Sequence, residues 1–162
     1  MTAYRITALA AAAILTVSIA SQAFANAGHS GSHTFGEPGQ EAEVTQTIVI
    51  QAHDANGDMR FKHDKISIKK GETIKFVVTN KGALPHEFTL GDSASQRAHA
   101  LMMEKDPDMK HEGDPSAITL QPGETKELIW KFSKPIRGNI EFACQMPGHY
   151  EAGMVSKVKM AK

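Results

Sequence analysis

From Thr45 to Met160 the chain is cut into short segments in which apolar and polar residues alternate, with a turn signal about every 8–12 residues. Ile48 and Ile50 open the series. Ile66 and Ile68 lie in the next segment, and Ile74, Phe76 and Val78 share one parity in the one after it. Segments at Glu87–Leu90 and Ala117–Leu120 follow. Then Leu128, Trp130 and Phe132 alternate, and Ile140, Phe142 and Cys144 alternate; Val155–Met160 closes the series. Asn56-Gly57-Asp58, Gly71-Glu72 and Gln121-Pro122-Gly123-Glu124 punctuate it. A period of two puts every second side chain on one face, so these segments are half-buried strands. About eight such strands predict an all-β, antiparallel sandwich. The run 92–105 departs from this period: Ala94, Ala98, Leu101 and Met102 recur at helical spacing after a capping Asp92 or Ser93. It predicts one short helical insert, ended by Asp106-Pro107.

The segments before Thr45 read differently. Residues 1–25 carry one positive charge, Arg5, an apolar run from Ile6 to Ala20, and the small residues Ala23 and Ala25 around a cleavage position. This is the pattern of a secretory signal peptide, and the run is short for a bilayer span. Residues 26–44 are rich in Gly, Ser and His and read as a flexible tail, leaving 45–162 as the folded domain. The expected compartment is the periplasm, with no membrane anchor after cleavage. The 18 Lys and Arg balance 18 Asp and Glu, without a basic cluster. Nucleic acid is therefore not an expected partner, and nothing demands more than a monomer.

Export makes the single cysteine informative. One thiol forms no internal disulfide, and outside the cytoplasm it is open to oxidation. Cys144 stands in "ACQMPGHYEAGM", where His149 follows after four residues and Met154 after four more. A turn at Gln145–Gly148 brings His149 back beside Cys144, and Gly153 bends the chain before Met154. His86, in "LPHEF", lies on a connection that a sandwich can place at the same end. Two His, one Cys and a weak axial Met form the ligand set of a mononuclear blue-copper site. Structural zinc shares the Cys and His donors but seldom takes a thioether as its fourth ligand.

With these residues the chain resembles the cupredoxins, the family of plastocyanin, azurin and rusticyanin, over roughly Thr45 to Lys162. It is most similar to the periplasmic members found in bacterial copper-tolerance systems. The resemblance implies an eight-stranded Greek-key β-sandwich holding one type-1 copper, with His86, Cys144, His149 and Met154 as its ligands. It also implies electron transfer without bond chemistry, so the chain is not expected to be an enzyme. Glu87 stands where many members carry Asn or Ser tying the ligand loops together. A carboxylate facing the site there would favour Cu(II). Redox or copper-handling partners are expected to dock transiently at the rim of Met146, Pro147 and Tyr150 around His149. Two further places offer weak copper donors: His29 and His33 in the tail, and Met103, Met109 and His111 in and after the insert. The function expected is copper tolerance, with a soluble electron carrier between respiratory complexes as the alternative.

Overall fold

The structure, a computed structural model, describes residues 33–109, 111 and 113–161. The expected signal peptide and His29 lie outside the described residues. Two five-stranded sheets pack face to face. The first has the order β1 (Glu37–Pro38), β8 (Thr125–Lys131), β5 (Thr73–Asn80), β2 (Gln46–His53), β3 (Arg60–Lys62). The second has the order β4 (Ile68–Lys69), β10 (Val155–Ala161), β9 (Asn139–Ala143), β6 (His86–Gly91), β7 (Ala117–Leu120).

The alternation read from the sequence is the alternation observed. Ile48, Ile50 and Ala52 of β2 are buried between exposed neighbours, as are Leu128 and Trp130 of β8 between less buried ones. The sheets close on three aromatic rings. Phe76 of the first sheet lies 5.5 Å from Phe88 and 5.2 Å from Phe142 of the second, and Phe88 stacks on Phe142 at 5.5 Å. Offset and edge contacts at these separations add to the area term of burial.

Three expectations are corrected. Among the described residues there are ten strands rather than eight, because β1 and β3, two and three residues long, are too short to show a period. The sandwich is mixed rather than antiparallel: β2 runs parallel to β5 and β4 parallel to β10, since the chain crosses to the other sheet between each pair. The tail does not stay free up to residue 44. Phe35 is buried at 1 % exposure and stacks on Trp130 at 5.0 Å, and Pro38 pairs with Trp130 as an edge strand, a place where the missing proline N–H is harmless. Composition hid this, because a single aromatic residue anchors the segment.

The helix α1 (Ser93–Lys105) has the expected N-cap but turns the other way. Asp92 Oδ1 accepts from the amides of Ala94 and Ser95, and the Ser95 hydroxyl accepts from the Asp92 amide, a reciprocal capping box. The inward residues are Gln96, His99 and Met103, while Leu101 and Met102 remain 57 % and 48 % exposed. The reason is polar. The Gln96 amide donates to the carbonyl of Thr89 at 3.0 Å, and its oxygen accepts from the Thr89 hydroxyl at 2.9 Å and from Gln145 at 3.0 Å. The helix lies on the outer face of β6 and β9, so β6 is buried on both faces.

If Phe35 anchors the N-terminal segment, Phe35→Ala lowers unfolding free energy by about 3 kcal/mol, the low end for a buried aromatic. Denaturant unfolding of the chain checks this. No change would mean that the segment is a free tail.

Candidate metal centre

His86 begins β6, and Cys144 directly follows β9. Thr89 pairs with Ala143 and Leu90 with Phe142, which brings the two strands side by side at this end of the sandwich. Cys144 shares the parity of Ile140 and Phe142 and, like them, is buried at 0 % exposure. The loop after it folds tightly. His149 N–H donates to the Met146 carbonyl at 3.0 Å, and Gly148 at its corner has φ +83°, a left-handed value suited to glycine. The loop is closed by Met154 N–H on the His149 carbonyl at 2.9 Å and by Cys144 N–H on the Met154 carbonyl at 3.1 Å.

Three soft or borderline donors converge. His86 Nδ1 and His149 Nδ1 lie 3.3 Å apart, and Cys144 Sγ lies 3.3 Å from His149 Nδ1. Three donors meeting on one first-row ion at about 2.0–2.3 Å stand about 3.5–4 Å apart, close to what is observed. The donor set therefore fits a metal ion. Met154 is buried at 0 % exposure beside these residues in the chain fold, with its backbone tied to both Cys144 and His149.

Residues that the sequence reading did not single out hold these donors in place. Asp54, in the turn after β2, accepts from the amides of Ala83 and Leu84 at 2.9 and 2.6 Å. Its Oδ2 also stands 3.3 Å from His86 Nε2, without hydrogen-bond geometry. Outer partners of this kind orient a ligating imidazole. Asn80 holds the same loop: its amide donates to the Leu84 and Leu120 carbonyls, and its oxygen accepts from Gly82. Nothing local in the sequence marks either residue as more than a turn or a strand end.

Glu87 does not take the metal-facing position in which its carboxylate would favour Cu(II). Its backbone N–H donates to Cys144 Sγ at 3.3 Å, but its carboxylate lies on the opposite face of β6, beneath α1. There it bonds His111, stands 3.5 Å from His99 Nε2, and accepts from the Gln145 amide at 3.2 Å. The carboxylate thus joins the two ligand loops, the part Asn or Ser takes in the resemblance, and does not face the His86–Cys144–His149 group.

The weak extra donors are dispersed. The ring of His33 packs 5.1 Å from that of Phe35 and 5.0 Å from that of Trp130, which ties it to the first sheet; its expected partner His29 lies outside the described residues. Met103 is buried under α1, and Met109 lines a cleft with His111. The donors that close on His111 are Glu87 and His99.

Burial sets the protonation states. It pushes the Cys144 thiol up to about 12, against the backbone N–H groups of Glu87 and Met146, which pull it down. Burial also lowers both His86 and His149, and at His86 the neighbouring His149 adds to the effect. Without metal the site is a neutral thiol and two neutral imidazoles at pH 7. For Glu87, burial alone would raise the carboxyl; the bond from His111 and the closeness of His99 outweigh it and bring it down to about 2. The bond to Glu87 raises His111, more than burial lowers it.

The comparisons decide the family. Residues 48–161 match the family described as copper binding proteins, plastocyanin/azurin family. The chain belongs to that family. A copper-resistant cuproprotein CopI of Rubrivivax gelatinosus is 43% identical over 136 residues, covering 80% of this chain and 79% of the relative. The protein of the same name from Pseudomonas aeruginosa is 35% identical, over 91% of this chain and 93% of its own. The fold is that of auracyanin from Roseiflexus castenholzii, with a TM-score of 0.58 at 19% identity over 74% of this chain and 99% of that one. Auracyanin B gives a TM-score of 0.60 at 21% identity, over 78% and 96%. Copper is the metal of this cupredoxin, and the His86–Cys144–His149 group suits it.

Two measurements follow from the protonation states. A metal ligand must be deprotonated, so copper loading at pH 7 in weak buffer releases about one proton more from wild type than from Cys144→Ser. Equal release would mean that the thiol is already ionised. Second, the Glu87–His111 pair stabilises most between pH 4.5 and 6.5, the two ordinary values. The share from Glu87 is lost as pH falls from 4.5 towards 2, and that from His111 as pH rises from 6.5 through its raised value. The stability difference between metal-free wild type and Glu87→Gln should therefore peak in that window; a flat difference would contradict the pairing.

Proposed function

We propose that this is an exported copper-tolerance protein that uses one redox-active copper held by His86, Cys144, His149 and Met154. The observation that carries the reading is the convergence of two imidazole Nδ1 atoms and one buried thiol at 3.3 Å spacings. It occurs in a chain 43% identical to a relative named as copper-resistant. Copper, when bound, supplies one-electron chemistry between Cu(I) and Cu(II).

The chain's own residues do the rest. Cys144 offers a thiolate once its proton leaves, and the Glu87 N–H bonds its sulfur and tempers the charge. His86, packed away from solvent with Asp54 Oδ2 3.3 Å from its Nε2, is held from swinging out as the ion changes state. The buried Met154 is the soft fourth donor, one that does not lock the ion into the geometry of a single oxidation state. Four protein donors leave no open position for a substrate, so the protein acts without bond chemistry. The half-buried His149, beside Met146 and Pro147, is where electrons or copper would pass to a transient partner, with the chain a monomer. The signal-peptide pattern of residues 1–25 supports a periplasmic location, and no helix among the described residues is long and apolar enough to cross a membrane.

The second reading, a soluble electron carrier, is favoured by the rim itself: Leu84 is 45 % exposed and Pro147 is exposed at the same end. Growth on rising copper separates the two. A strain lacking the protein is expected to be copper-sensitive, rescued by wild type and not by Cys144→Ala. Normal growth of the deleted strain would overturn copper tolerance and leave electron carriage as the function.

A further inference from the structure

The inner face of α1 and the outer face of β6 enclose a second group of donors, separate from the thiol. Glu87 is 1 % exposed and His99 7 %. The His111 side chain is 5 % exposed. One donor atom from each lies within 4.8 Å of the others, and the rings of His99 and His111 are 4.9 Å apart. His111 Nε2 bonds Glu87 Oε1, while His99 Nε2 stands 3.5 Å from Glu87 Oε2.

Both histidines lie within ion-pair distance of Glu87, but only His111 is hydrogen-bonded to it. Glu87 Oε2 already accepts from the Gln145 amide, and Oε1 is held by His111. His99 Nε2 is left buried without any hydrogen bond, aimed at the same carboxylate. A buried nitrogen without a partner is destabilising. The helix also keeps this polar residue inward while Leu101 and Met102 face solvent. A local rule broken in this way marks a functional position. A divalent cation between the three side chains would give the unpartnered His99 Nε2 a partner and would neutralise the carboxylate.

We propose that Glu87, His99 and His111 form a second metal site, for a divalent first-row cation, with Cu(II) as the ion. One carboxylate and two imidazoles are borderline donors with no thiolate among them, which suits the divalent state. Among divalent first-row ions such a site binds copper most tightly. A cleft of about 760 Å³, lined by Pro85, Glu87, Met109, His111, Met146 and His149, borders both groups and gives an ion a way in. Glu87 belongs to the new site through its carboxylate and touches the first through its N–H on Cys144 Sγ.

The test is Cu(II) titration of the full secreted chain after thiolate-to-copper absorption has saturated, followed by electron paramagnetic resonance and equilibrium dialysis. Wild type is expected to take a further Cu(II) with a nitrogen-coupled signal and no added thiolate absorption. His99→Gln and His111→Gln should each weaken that ion at least about tenfold. Their thiolate absorption should still saturate as in wild type, which shows that they fold and load the first site. The double variant His29→Ala, His33→Ala should keep the further ion, and equimolar Zn(II) should not displace it. Unchanged uptake in both glutamine variants, or loss of the ion only in the tail variant, would overturn the site. Displacement by zinc would overturn copper as its ion.

Discussion

Two consecutive residues of β6, His86 and Glu87, carry the organisation of this protein. Side chains of neighbouring strand residues leave on opposite faces. His86 enters the sandwich end beside Cys144, and Glu87 passes under α1. A strand covered on one face only would expose one of the two. Here both faces are buried, by the facing sheet and by the helix, so the His86 imidazole and an ionised carboxylate sit back to back in low-dielectric surroundings. The backbone between them is itself used, since the Glu87 N–H bonds the cysteine sulfur while its side chain holds the loop that follows that cysteine.

The helix is explained by the same constraint. Taken alone, its sequence favours burying Ala94, Ala98, Leu101 and Met102. It buries Gln96, His99 and Met103 because the strand face beneath it presents polar groups that Gln96 satisfies: the Thr89 hydroxyl and carbonyl and the Gln145 side-chain amide. Leaving those unpartnered in the interior would be more destabilising than leaving two apolar side chains in water. Polar satisfaction outweighed hydrophobic area here, and it placed an imidazole where hydrophobic periodicity predicts none.

Much of the fold was legible because it rests on local alternation. The strands around Ile48, Phe76, Leu128 and Phe142 have enough residues to display a period of two, and a helix cap at Asp92 or Ser93 is a short-range signal, of which the structure uses Asp92. The strands at Glu37–Pro38 and Arg60–Lys62 have no such length, and their existence depends on what lies beside them. Likewise Phe35 looks like one aromatic residue in a polar tail until Trp130, 95 positions away, stacks on it.

At the metal centre the division is the same. Cys144, His149 and Met154 are close in sequence, so their spacing already describes a loop that can gather three donors, and the chemistry of thiolate, imidazole and thioether names the metal. The sequence by itself determined the alternating strands, the lone thiol and that donor set. Only the tertiary structure decided which distant residues serve it. Asp54 and Asn80 hold the loop of His86, Glu87 turns away from the thiol, and His99 and His111 meet over the carboxylate. Local spacing carries information about contacts within one loop or one face. Contacts between elements far apart in the chain depend on how sheets and helix pack, and no single segment encodes that.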